Sequence, residues 1–152
     1  MTTSQRVPVA ICQRRLATVW FSAGAVLFLL LAVQSLLGKY GDETTKAWSW
    51  LLPTIVPTLS LIIGAVAYQA KKAQSEATVD RFAYRLSLWL SVFYLVLVLA
   101  TVIVPAVRSY PSAADMLGTM EMSNLFLGPV QGLVGIALGV FFVSRETVPR
   151  GP

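Results

Sequence analysis

Residues 124–143 have the sequence NLFLGPVQGLVGIALGVFFV, an uncharged apolar run long enough to cross a membrane as a helix. Four glycines recur in this run at spacings of 4, 3 and 4 residues: Gly128, Gly132, Gly135 and Gly139. At about 100° per residue they occupy a sector about 60° wide, which predicts a helix with a groove along one side. We call these four residues the glycine stripe. Asn124 and Gln131 lie on its shoulder.

The glycine stripe predicts a close helical neighbour. Glycine costs about 1 kcal/mol relative to alanine in a helix interior, and membrane helices recover this cost where small residues let two backbones approach. The sequence leaves two candidates for this neighbour. The stripe packs either against the second apolar span of the same chain or against another copy of the chain.

The composition indicates an integral membrane protein. Of 152 residues, 56% are hydrophobic and 12% are charged, and the mean hydropathy is +0.70. Four apolar runs are long enough to cross a hydrocarbon core about 30 Å thick; they cover residues 16–37, 48–70, 86–104 and 124–143. None alternates as a β-barrel strand does. We therefore predict an all-α integral membrane fold, a single four-transmembrane-helix bundle over residues 1–152.

Basic residues predict the orientation of the bundle, because Lys and Arg near span ends stay on the cytoplasmic side. Nine of them fall in the leading segment, the connection between spans two and three, and the tail, whereas three fall in the other two connections. This distribution places both termini in the cytoplasm. We expect a multi-pass protein of a cytoplasmic membrane such as that of bacteria.

The two longer connections have different predicted structures. Residues 69–85 lack Gly and Pro and favour a cytoplasmic helical hairpin. The basic residues of this segment are candidates for contact with anionic lipid or a cytoplasmic protein partner: Lys71, Lys72, Arg81 and Arg85. Residues 106–121 are predicted to form an external loop, in which the piece from residue 113 to residue 122 suits a short helix on the membrane surface.

Span two contains Pro53 and Pro57, about one turn apart. Each proline removes a backbone donor and leaves a carbonyl one turn earlier without its helical partner, and lipid offers no substitute. Thr54, Thr58 and Ser60 are near enough in sequence to contribute hydrogen bonds. The prolines indicate either a kinked helix that faces a pore or gates it, or an ordinary kink packed inside a bundle. In the second case we expect Gln131 to donate a hydrogen bond to a carbonyl freed by Pro53 or Pro57.

The chemistry that the spans lack excludes several function classes. No span contains Asp, Glu, Lys or Arg between its ends, although ion-coupled carriers place such groups at membrane depth. The sequence has no His and one Cys, so we expect no metal or cofactor site, and no nucleophile has a base beside it in a span. No basic run is long enough to follow a nucleic acid backbone. We expect no enzymatic activity.

Two functions from different classes remain. In the first, copies assemble through the glycine stripe into a homo-oligomer that acts as an uncharged channel or a pore-forming membrane effector. Asn124, Gln131 and the hydroxyls of span two would then line the pore. In the second, the protein is a structural or accessory subunit of a larger membrane complex. We favour the first, because no soluble domain or docking motif indicates a specific larger complex.

Overall fold

Four long helices make up most of the computed structural model, which describes residues 6–71, 78–108, 110 and 112–142. In chain order they are α1 (Val9–Leu36), α2 (Thr44–Lys71), α3 (Arg81–Val107) and α4 (Ala113–Phe142). A short 3₁₀ turn, Gly41–Glu43, precedes α2. All four helices are long and apolar enough to cross a membrane. The predicted fold of four helices with the length and composition of membrane spans is confirmed.

The helices form a bundle in which each packs against two neighbours, in the order α1, α3, α4, α2 and back to α1. The most extensive seam joins α3 to α4, and α2 lies diagonally across the bundle from α3. Large side chains from all four helices fill the centre, among them Trp20, Ile62, Tyr94 and Leu138, each fully buried. The seam between α2 and α4 and the seam between α1 and α3 lie on opposite sides of the bundle.

Two short strands join the beginnings of α1 and α3. β1 (Arg6–Pro8) pairs antiparallel with β2 (Thr78–Asp80), with Val7 opposite Val79. Asp80 then caps α3, since its carboxylate accepts a hydrogen bond from the N–H of Phe82 at 3.3 Å. We call this end of the bundle the strand end and the other the far end.

The predicted helical hairpin over residues 69–85 is therefore wrong in part. The chain is helical to Lys71 and again from Arg81, but Thr78–Asp80 is extended, and the two helices lie on a diagonal instead of side by side. The pairing with β1 satisfies the backbone of β2 and overrides local helix propensity. Lys72 and the predicted turn of the hairpin lie outside the described residues.

The predicted loop over residues 106–121 is wrong in part, because the connection between α3 and α4 ends before Ala113, where α4 begins and continues without a break into the predicted fourth span. The hydroxyl of Ser112 accepts from the N–H of Asp115 at 3.2 Å and donates to its carboxylate at 2.7 Å, a reciprocal cap that starts the helix. Met116 and Met120 are buried in the bundle. The segment is thus the first turns of α4 and not a separate surface helix.

At the far end, Gly38 terminates α1. Its φ of +68° lets the N–H groups of Gly38 and Lys39 reach the carbonyls of Ser35 and Gln34, at 3.1 and 3.0 Å. The ammonium group of Lys39 donates to the carbonyl of Ala106, at 2.9 Å, near the end of α3. A cation at this position satisfies an unpaired carbonyl and complements the helix dipole.

Candidate functional site

The seam between α2 and α4 is held by Gln131 at the proline kink. Its side-chain amide donates to the carbonyls of Pro53 and Thr54, at 3.4 and 3.3 Å. Pro57 has no N–H, so the carbonyl of Pro53, four residues earlier, has no donor within its own helix. The amide of Gln131 supplies one. This contact turns Gln131 towards α2 and uses its donor capacity inside the chain.

Tyr94 reaches the same kink from α3. Its hydroxyl donates to the carbonyl of Thr54 at 2.9 Å, across the diagonal of the bundle. The ring of Tyr94 stacks on that of Trp20, with centroids 5.8 Å apart. The hydroxyl of Thr54 donates to the carbonyl of Trp50, one turn back in α2, at 2.7 Å. Polar contacts therefore join α2, α3 and α4 at one point, which we call the polar centre.

Two more polar groups lie in the core. The hydroxyl of Ser91 and the indole N–H of Trp20 are fully buried and have no hydrogen-bond partner in the described part of the chain. A buried polar group without a partner costs about 1–3 kcal/mol. The interior therefore carries more hydrogen-bonding capacity than its internal contacts use.

The glycine stripe faces away from this interior. Gly128 and Gly132 are exposed, Gly135 and Gly139 are half-buried, and Asn124 is exposed. A Cβ placed on any of the four glycines would meet nothing within 4 Å in the described structure. The buried side of α4 instead carries Leu127, Val134 and Leu138, about 110° around the helix from the centre of the glycine stripe.

This orientation overturns one expectation from the sequence. Span four does pack against span two, but the contact runs through Gln131 at the edge of the glycine stripe and not through the glycines. The larger side chains of α4 occupy the core because they fill the space between four helices, which glycines leave empty.

A second outward stripe lies on α2. Six small or helix-perturbing residues recur at helical spacing and are all exposed: Ser49, Pro53, Pro57, Ser60, Gly64 and Ala67. Gln131 bonds α4 to the backbone beside this stripe, so the two stripes flank the outward side of one seam. We call this surface the outward α2/α4 face. None of its residues named here is charged.

The basic candidates on α3 do not belong to this face. Arg81 and Arg85 are exposed in the first turns of α3. Lys71 is the last residue of α2, and Lys72 lies outside the described residues.

Tyr94 and Trp20 are buried residues of the polar centre that the sequence analysis did not single out. A signal for Tyr94 was present, because its hydroxyl lies in the middle of an apolar span. A Tyr hydroxyl at such depth needs a hydrogen-bond partner.

A second set of polar contacts joins α1 to α3 at the far end of the bundle. The Tyr40 hydroxyl donates to the side-chain carbonyl of Gln34, whose amide reaches the carbonyl of Val102 on α3 at 3.5 Å. Tyr40 is fully buried, and this burial raises the pKa of its hydroxyl to about 12. The hydroxyl therefore stays protonated and remains a donor throughout the physiological range.

Compared with known proteins, the chain matches no family model, no curated protein and no solved structure. Its function has to be inferred from the geometry of the bundle.

Proposed function

We propose that this protein is a structural membrane subunit that self-associates through the outward α2/α4 face. The observation that supports the proposal is the empty space at the glycine stripe, where a Cβ would meet nothing within 4 Å in the described structure. Four glycines in a helix interior together cost about 4 kcal/mol relative to alanine, and no contact within the described part of the chain offsets this cost. A close-packed helix from outside the chain does so.

A second copy of the chain fits this face. The second and fourth helices of an up-and-down bundle run in the same direction, so a two-fold axis along them brings the face onto itself. The residues of the two stripes are uncharged, and the pairing therefore creates no like-charge contact. The glycines of one copy then lie against the small residues of the other.

A channel or pore-forming effector is the second candidate function, and the exposed amide of Asn124 favours it. Gln131 weighs against it, because this residue donates to the kink of its own chain instead of facing the stripe. An uncharged pore would thus have Asn124 and Ser60 as polar lining. The structural role needs no such lining and agrees better with the geometry.

The first experiment measures copy number. Purified protein in liposomes, labelled with one fluorophore per chain, is counted by photobleaching at low protein density. We expect two or more chains per particle, and a shift to single chains in Gly132→Leu, because a branched side chain prevents close backbone approach. Ala100→Leu is the matched control, since it adds bulk to an exposed position on α3. A wild-type chain that stays single contradicts the proposal and leaves the role of accessory subunit of a different complex.

The second experiment separates the two functions with Gln131→Glu and a dye and ion leakage assay in the same liposomes. In the structural role the carboxylate lies beside two carbonyl oxygens, and a central membrane charge costs about 2.5–3.5 kcal/mol, so the variant loses its fold and leaks nothing. An intact oligomer with increased cation selectivity supports the channel instead.

The orientation of the proposed subunit has both termini in the cytoplasm. Reporter fusions at Met1 and Pro152 should both be cytoplasmic and one at Asp42 external, because basic residues are concentrated at the strand end and the tail. An external C-terminus would contradict the orientation and leave the self-association untouched.

A further inference from the structure

An apolar groove of about 450 Å³ runs along the seam between α1 and α3, on the opposite side of the bundle from the outward α2/α4 face. Its walls come from two ridges on α1, one from Thr18 to Val26 and one from Val19 through Ala23 to Leu27, and from one side of α3 that includes Val96. The hydroxyls of Thr18 and Ser22 donate to the carbonyls of Arg14 and Thr18 in their own helix, at 2.9 and 2.6 Å. The polar atoms are thus turned to the backbone, and the groove presents hydrocarbon.

Arg14 and Arg15 lie at one end of this groove. A second, adjoining hollow of about 370 Å³ shares Thr18 and Val19 with it and is lined further by Arg14, Arg15, Tyr84 and Leu88. Arg14 is one turn before Thr18 and Arg15 is one turn before Val19, so each arginine continues one ridge of α1. Both are exposed, and neither forms an ion pair within the described part of the chain.

We propose that this groove is a binding site for one anionic phospholipid, with an acyl chain in the groove and the phosphate between Arg14 and Arg15. The guanidinium group binds phosphate oxygens with two parallel hydrogen bonds, which suits this headgroup better than an ammonium ion would. The site is independent of the proposed self-association.

The dimensions of the groove match one leaflet of a bilayer. From Thr18 to Leu27 the groove rises by about 14 Å along α1, at about 1.5 Å per residue. Half of a hydrocarbon core is about 15 Å thick. The arginines lie about 6 Å beyond Thr18, at the level where headgroups begin. The acyl chain and the phosphate of one lipid therefore reach both parts of the site together.

Charge distinguishes this occupant from a second copy of the protein. Pairing two copies on the α1/α3 face would bring the arginines of one copy towards those of the other, and like charges repel. A lipid phosphate neutralises them instead. The uncharged α2/α4 face has no such preference for an anion.

The test is native mass spectrometry of the purified protein in detergent, titrated with phosphatidylglycerol or with phosphatidylcholine that has the same acyl chains. We expect one phosphatidylglycerol per chain and markedly weaker binding of phosphatidylcholine. Replacing both arginines by glutamine (R14Q/R15Q) should weaken phosphatidylglycerol binding about 25-fold, about five-fold for each cation lost at a membrane surface. Ala23→Leu should weaken it too, by filling the groove.

Arg85→Gln is the control for the loss of one cation, because Arg85 is exposed at the same end of the bundle and does not line the groove. A loss of about five-fold in Arg85→Gln, the same per cation as in R14Q/R15Q, would overturn the proposal and leave general attraction to basic surfaces. Equal binding of the two lipids, or binding of glycerol phosphate as tight as that of the whole lipid, would overturn it as well. Cross-links between two copies through the thiol of Val26→Cys would show that protein, and not lipid, occupies the groove. Val96→Phe, at the exposed rim of the groove, replaces Ala23→Leu if that variant fails to fold.

Discussion

One glycine on α1 and four on α4 have opposite surroundings. A Cβ on Gly24 would lie 3.3 Å from Leu59 Cδ1 and 3.7 Å from Ile55 Cγ2, both on α2. A Cβ on any glycine of the glycine stripe would meet nothing within 4 Å in the described structure. Two helices of the chain therefore approach closely at the isolated Gly24. No such approach occurs at the glycine stripe in the described structure.

The neighbours of each glycine on its own helix explain the difference. Gly24 lies on the buried side of α1, with Trp20 one turn before it and Leu27 and Leu31 after it. These side chains hold α1 in the core, and Gly24 provides the space that Leu59 fills. On α4 the residues that hold the helix in the core are on a different side from the glycines. Regular spacing of small residues thus identifies a surface for packing but not the element that packs there.

The largest expected effect that tests this comparison comes from Gly24→Leu. The added side chain meets Leu59 inside the bundle, and overpacking of this kind costs about 1–3 kcal/mol. Gly132→Leu, in contrast, should leave the stability of the single chain almost unchanged. The measurement is thermal or denaturant unfolding of both variants in detergent, diluted until the protein is monomeric. Equal losses in the two variants would show that the glycine stripe is packed within the chain after all.

A smaller effect is expected from Tyr94→Phe. This variant tests whether the polar centre holds α2 in the bundle, since the glycine stripe does not contact α2 in the described structure. The variant loses the hydrogen bond to the carbonyl of Thr54 but retains the ring that stacks on Trp20. Interhelical hydrogen bonds in membranes contribute about 0.6 kcal/mol on average and about 1.7 kcal/mol at most, and this buried bond, shorter than those of Gln131, is expected to exceed the average. Unfolding in detergent should show this loss. Tyr110→Phe serves as the control, and a similar loss there would argue against a specific role for the polar centre.

The long helices were predictable from the sequence, because apolar runs of membrane-spanning length and the absence of internal charge leave few alternatives. The expected loop over residues 106–121 missed the start of α4, although Ser112 and Asp115 form a recognisable cap three residues apart. The strand pair was not predictable, because the segment before α1 and the segment before α3 are brought together only by the bundle itself. The rotation of each helix about its own axis was the hardest feature to predict. Lipid accepts both large apolar and small side chains, so the sequence of α4 does not distinguish its buried side from its exposed one.

The need for a partner at the proline kink was predictable, and for a closed bundle the sequence predicts Gln131 as that partner. Gln131 and Asn124 are both amides on the shoulder of the glycine stripe, and only the first reaches α2. From sequence alone the two were equivalent candidates for a pore lining. They lie on nearly the same side of α4, about two turns of helix apart, and only Gln131 is level with the kink of α2.

The smallest expected effect comes from Gln131→Leu, and it separates the bond at the kink from the packing around it. Leucine is close to glutamine in size but donates no hydrogen bond, and interhelical bonds in membranes contribute about 0.6 kcal/mol on average. Asn124→Leu is the matched control and should not change single-chain stability. Pro57→Ala restores the N–H that the carbonyl of Pro53 lacks, so Gln131→Leu should cost less in that background. A double-mutant cycle of unfolding free energies in detergent measures the difference. An identical cost in both backgrounds would mean that Gln131 acts by packing, and the link between the proline kink and the α2/α4 seam would have to be abandoned.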